Sequence, residues 1–153
     1  LGQWRDEQVR RVGHPTDPAA HALFVGIPAV PTGKRTGRNV VVHFDGFPAD
    51  WSGYDDLLLE IHATAEVRVQ LSLADEAYRR RRTYDRSDRF GATLDLRPGI
   101  NHFRFSDRSW LQTPGGRRMD DRDIRQMVFM VRALPDASQS FVIGRIELVR
   151  GNT

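Results

Sequence analysis

Apolar and polar residues alternate along most of this chain with a period of two. Val67, Val69, Leu71 and Leu73 are separated by Arg68, Gln70 and Ser72, which gives an extended segment one apolar and one polar face. Leu57, Leu59 and Ile61 alternate in the same way with Leu58, Glu60 and His62. Comparable segments lie at 22–27, 39–44, 92–96, 101–105, 126–132 and 141–148. Together they predict an all-β chain of about eight short strands, the number expected of a β-sandwich or jelly roll. Segment 126–132 is apolar on both faces, with Met127, Phe129 and Val131 against Val128 and Met130, and is therefore expected in the middle of a sheet. The sandwich is expected over residues 21–150. Residues 1–20 read as a lead-in, with one amphipathic turn over 4–12.

The connections carry turn chemistry. Arg97-Pro98-Gly99 between two strand patterns predicts a hairpin. Pro114-Gly115-Gly116 lies inside a longer connection, and the acidic stretch 119–124 predicts one helical turn capped by Asp120. In the last strand Phe141 and Ile143 share a parity that Ile146 and Leu148 do not. A bulge at Gly144-Arg145 would bring all four to the core side.

Composition narrows the chemistry. The 153 residues suffice for one core, and the absence of cysteine excludes disulfide scaffolds, thiolate metal sites and a cysteine nucleophile. Apolar runs of three to five residues, such as Val40-Val41-Val42, predict no membrane-inserted helix and no signal-peptide core. The net charge is only +3, and acids interleave with bases almost everywhere, so no nucleic-acid partner is expected. Lys34 is the single lysine among 23 basic residues; the rest are arginine, and the one basic run is Arg79-Arg80-Arg81-Arg82.

A resemblance emerges from the order of short motifs. Asp50-Trp51-Ser52-Gly53-Tyr54-Asp55-Asp56-Leu57 is followed by the strand at 67–73, then by Asp88-Arg89-Phe90 and Leu96-Arg97-Pro98-Gly99-Ile100-Asn101. Gly116-Arg117-Arg118-Met119-Asp120, Ile124 and a closing strand at 141–149 complete the series. Over roughly residues 20–149 the chain resembles the galactose-binding-like β-sandwich of many carbohydrate-binding modules, in a variant appended to bacterial glycan-active and VanZ-like membrane proteins. The resemblance implies a non-catalytic, extracytoplasmic module of a larger bacterial protein that binds sugars on a sheet face or loop rim. Such domains often close with an L-D-D-I strand whose aspartate helps hold calcium. Here the matching stretch is Val142-Ile143-Gly144-Arg145-Ile146, and the arginine brings charge of the wrong sign, so no calcium and no other cofactor is expected there.

Candidate ligand residues follow from exposure and side-chain chemistry. Trp51 and Tyr54 lie in the best-matched motif, but Trp51 is read as an anchor of the turn into the strand at Leu57. Tyr78, Tyr84 and Trp110 sit in polar connections, where an exposed ring would stack on a pyranose. Arg80, Arg82, Asp85, Asp88 and Arg89 concentrate around the first two of these rings, and Arg117 would extend the patch. Arginine forks suit carboxylate or phosphate groups, while Asp and Arg together suit paired sugar hydroxyls. The expected partner is an oligo- or polysaccharide, neutral or acidic. Two other readings remain for the same patch: a solvated edge that blocks strand pairing, and a contact surface for another envelope component.

Catalysis has little support. Asp55 and Asp56 point to opposite faces if the strand has begun, and Asp120, Asp121 and Asp123 are explained by capping. Histidines at 14, 21, 43, 62 and 102 lack metal-ligand spacing, and no G-x-S-x-G elbow exists.

Overall fold

A computed structural model describes residues 9–13, 21–27, 40–44, 47–131 and 139–151. It contains nine strands among those residues: β1 (Val9–Gly13), β2 (His21–Ile27), β3 (Val40–Phe44), β4 (Asp56–Ala63), β5 (Val67–Asp75), β6 (Phe90–Leu96), β7 (Gly99–Phe105), β8 (Ile124–Val131) and β9 (Gln139–Val149). One helix, α1 (Glu76–Arg81), follows β5 directly. Two antiparallel sheets, ordered β1-β2-β9-β4-β7 and β3-β8-β5-β6, stack as a jelly-roll sandwich. Each of the eight expected strand segments coincides with one of β2 to β9. The ninth strand, β1, pairs with β2 where an amphipathic turn was expected; the other residues of the lead-in lie outside the described set.

The period-two pattern builds the core directly. Val69, Leu71 and Leu73 of β5 and Leu57, Leu59 and Ile61 of β4 are essentially fully buried, and they meet Phe129 of β8 and Phe141 of β9 between the sheets. Burying each such side chain contributes roughly 1.5–3 kcal/mol. The segment apolar on both faces becomes β8, held between β3 and β5 as expected. Trp51 caps one end of the core edge-on to Trp110, with ring centroids 5.3 Å apart, and its indole N–H donates to the Pro48 carbonyl at 2.8 Å.

Three local expectations meet different outcomes. The bulge is present: Glu60 faces Arg145 and Ile61 faces Ile143, which leaves Gly144 as the extra residue. Leu148 then packs against the core, while Ile146 stays 36% exposed where the sandwich opens. The hairpin at Arg97-Pro98-Gly99 is instead an arch. β6 pairs only with β5 and β7 only with β4, so the chain crosses from one sheet to the other. Pro-Gly chemistry specifies a reversal, with Gly99 at φ +102°, but not which sheet receives the next strand. At 119–124 no helix forms. A tight turn closes with the Asp120 side chain accepting the Arg122 N–H at 3.0 Å, so Asp120 caps as expected, but it caps a turn.

The arch rests on Asn101. Its Oδ1 accepts the Arg97 N–H at 2.9 Å, and its Nδ2 donates to the carbonyls of Arg97, Gly99 and Ile61. Replacing Asn101 with Ala is expected to lower stability by about 1–3 kcal/mol, because several backbone groups at the crossing lose their partner. Urea unfolding checks this: the midpoint falls while the dependence on denaturant stays unchanged.

Candidate functional site

β5 ends at Asp75, which is also the N-cap of α1. Its Oδ1 accepts the Tyr78 N–H at 3.0 Å, which fixes the angle at which the helix leaves the sheet. The helix closes at Arg82 in the left-handed conformation (φ 51°), and Tyr84 adopts φ 54° one residue after Thr83. Asp85 then caps a 3-10 turn, Arg86–Asp88, by accepting from both the N–H and the hydroxyl of Ser87. Two left-handed non-glycine residues so close together swing the 82–85 segment sharply, and they leave the Tyr84 ring 79% exposed at its crest.

Beneath this crest runs a groove of about 460 Å³ on the outward face of the β3-β8-β5-β6 sheet. Its floor is Val41 and His43 of β3 and Gln126, Val128 and Met130 of β8. In register, Val41 lies opposite Met130 and His43 opposite Val128, and Gln126 Nε2 meets His43 Nδ1 at 3.3 Å. One wall is Tyr78, Arg79, Arg82, Tyr84 and Arg89. Tyr78 is only 5% exposed: it anchors the wall instead of offering a platform. Arg89 donates to the Tyr78 hydroxyl at 3.1 Å, with its guanidinium carbon 5.6 Å from the ring centre.

The groove therefore gathers Tyr78, Arg82, Tyr84 and Arg89 from the expected set and not the others. Arg80 does not line the groove; it lies 3.4 Å from Glu76. Asp85 is occupied by the cap at Ser87 and borders a separate shallow depression. Trp110 is fully buried beside Trp51, so it cannot stack on a ligand; its polar-looking connection is a 3-10 turn, Ser109–Leu111, tucked against the core. Arg117 and Asp88 are engaged with each other. Arg117 donates Nε to Asp88 Oδ1 at 2.6 Å and Nη2 to the Asp88 carbonyl at 2.9 Å. Its two terminal nitrogens also clasp Asp75 Oδ2 and Oδ1 at 2.7 and 2.9 Å. Arg81 adds a further pair to Asp88. Arg117 thus supports the site from behind and does not face a ligand.

The groove floor was missed in the sequence. Val128 and Met130 signalled it, since they make the outer face of β8 apolar, but that pattern is equally satisfied by burial under another layer. His43 and Gln126 carry no local signal at all; only strand pairing brings them together.

Electrostatics follow the same division. Burial pushes the Asp75 carboxyl up, but the Arg117 bonds and the N–H groups of Asp120 and Tyr78 outweigh it and hold it below the usual carboxylate range. Arg117 is raised above its ordinary value, chiefly by Asp75. Four of the five carboxylates considered for hydrolysis are in ion pairs: Asp56 with Arg104, Asp55 and Asp121 with Arg108, and Asp123 with Arg125; the fifth, Asp120, accepts the Arg122 N–H. Asp55 and Asp56 use different arginines, Arg108 and Arg104. Among the described residues no group of three or more His, Asp or Glu side chains could hold a metal, and no helix is long and apolar enough to cross a membrane.

Structural comparison identifies the fold as that of carbohydrate-binding modules. The family 11 module from Clostridium thermocellum, solved in complex with a β-1,3-1,4-mixed-linked tetrasaccharide, superposes with a TM-score of 0.61 at 14% identity, over 94% of this chain and 82% of that one. A family 30 carbohydrate-binding module gives 0.62 at 14% identity, over 99% and 78%. An exo-β-agarase gives 0.62 at 11% identity, over 98% of this chain but only 24% of its own. No family model and no curated protein matches the sequence.

Replacing Arg117 with Ala leaves the buried Asp75 carboxylate without its counter-ion and is expected to cost about 3–5 kcal/mol, measured by chemical denaturation. The native Asp75 carboxyl titrates below its ordinary value of 3.8, so the stability it contributes is complete above that pH. That contribution is lost as the pH falls through the lower native value. Stability curves between pH 2 and 6 should therefore be shallower in Asp75→Asn than in the wild-type protein.

Proposed function

We propose that this chain is a non-catalytic carbohydrate-binding domain that seats an oligosaccharide segment along the groove on the β3-β8-β5-β6 sheet. One observation carries the reading. An open groove with an apolar floor (Val41, Val128 and Met130) is bordered by hydrogen-bonding side chains (His43, Gln126, Arg82 and Arg89) and crested by the exposed ring of Tyr84. A pyranose has the matching amphipathic character. Its C–H face suits the floor or the Tyr84 ring, and its equatorial hydroxyls suit the imidazole, amide and guanidinium groups.

The fold agrees with this reading, since the solved neighbours include modules that carry carbohydrate binding in their names. Among the described residues Asp55, Asp56, Asp121 and Asp123 are each held in an ion pair, which favours binding over hydrolysis. The narrower form of the proposal is a glycan bearing acid groups, supported by the arginines on the groove wall. An extracytoplasmic place in a larger bacterial protein belongs to the same proposal. The agarase chain supports it in part, because there this fold makes up about a quarter of a longer polypeptide. A single open site of this kind would bind at about −4 to −7 kcal/mol and gain avidity from attachment to further domains.

A glycan array tests the reading. Reproducible binding is expected, with at least a tenfold loss in Tyr84→Ala, whose melting curve should be nearly unchanged because the residue is 79% exposed. A blank array with folded protein would overturn the proposal and favour a surface for another envelope component.

A further inference from the structure

We infer that the groove contains a dedicated subsite for one anionic substituent of the glycan, a uronate carboxylate or a sulfate ester, held between Arg89 and Arg82. The inference rests on the carbohydrate reading and deepens it.

Its basis is the distribution of counter-ions. Five arginines around this end of the sandwich are matched with acids: Arg117 with Asp75 and Asp88, Arg81 with Asp88, Arg79 and Arg80 with Glu76, and Arg125 with Asp123. Arg89 and Arg82 are the exceptions on the groove wall. Neither has a carboxylate partner among the described residues. Arg89 is also half-buried, and among the described residues its side chain hydrogen-bonds a neutral phenol, that of Tyr78. A guanidinium stays charged at any working pH, so its partial removal from water over the apolar floor is offset only by the neutral Tyr78 and by no carboxylate among the described residues.

The nearby acids cannot supply that compensation. Asp88 and Asp75 are engaged by Arg117 and Arg81, Asp85 is turned to the Ser87 cap and borders a separate depression, and Glu76 faces Arg79 and Arg80. Tyr78 meanwhile holds the Arg89 fork from one side, by its hydroxyl and by its ring face. The fork is thus pre-oriented, which reduces the entropy lost when it grips a planar or tetrahedral oxyanion. Arg82, at the left-handed end of α1, reaches the same groove from the rim. An anion arriving there regains the desolvation already incurred at Arg89, and a neutral sugar does not.

The test uses matched ligand pairs in calorimetry. Oligogalacturonate, alginate and glucuronoxylan oligosaccharides would be compared with their methyl-esterified or carboxyl-reduced counterparts, and sulfated galactans with their desulfated forms. Polyglutamate serves as a non-sugar polyanion. We expect at least one acidic glycan to bind about tenfold or more tightly than its neutralised partner, as expected for a charge-assisted hydrogen bond. Arg89→Gln and Arg82→Gln should each abolish most of that difference. Whether the uronate or the sulfate pair shows it identifies the source of the anion.

Binding of a glycan equally well with and without its acid groups would overturn the subsite and leave the carbohydrate reading standing. Equal binding of polyglutamate would also overturn it, since charge alone would then suffice. Failure of every glycan, acidic or neutral, would overturn both. Arg82 lies on the exposed rim, so Arg82→Gln keeps the test decisive even if Arg89→Gln perturbs the fold.

Discussion

The guanidinium of Arg117 ties its own loop to two stretches of chain that are distant in sequence: the end of β5 at Asp75 and the 3-10 turn ending at Asp88. Asp75 has no solvent exposure, and a bare carboxylate there would be prohibitively costly. It is tolerated because four N–H hydrogen bonds converge on it, two from Arg117 and one each from the backbones of Tyr78 and Asp120. The same carboxylate starts α1. Hence the helix, the wall it supplies to the groove and the crest at Tyr84 all depend on one internal ion pair. That the pair lies behind the wall also explains why its members are unavailable to a ligand.

The groove is a consequence of how the four-stranded sheet is finished. β8 is apolar on both faces, and only its inner face meets the opposing sheet. On the outer face α1 covers one end, with Tyr78 packed down and Arg89 laid across it, and leaves Val41, Val128 and Met130 as an open apolar floor. Arginine, not lysine, suits this wall. Its planar fork can lie on the Tyr78 ring and still present N–H groups to the groove.

Much of the architecture was legible in the chain because the physics behind it is local. Alternation every second residue decides which face of a strand is apolar, and the reversed parity across Gly144 required an extra residue there whatever the neighbouring strand. The arch at Arg97-Pro98-Gly99 shows the limit of such reasoning. The reversal was legible, but sheet membership is settled by the pairing of β7 with β4, to which Asn101 adds a bond at Ile61, forty positions away. At the site, Tyr78, Arg82, Tyr84 and Arg89 stood out because they are close in sequence and unusual in composition. Trp110 and Arg117 were misjudged because a polar connection can still fold inward, and nothing local to either reports Trp51 or Asp75.

By itself, then, the sequence determined an all-β sandwich, eight of its strands with their inward faces, and its bulge, since each is governed by residues within a few positions of one another. Only the tertiary structure decided which aromatic ring is exposed, which arginines already have counter-ions and where two strands leave a groove. Those properties are set by groups that meet only after folding. Burial and charge compensation depend on what arrives from elsewhere in the chain, and no local pattern encodes that arrival.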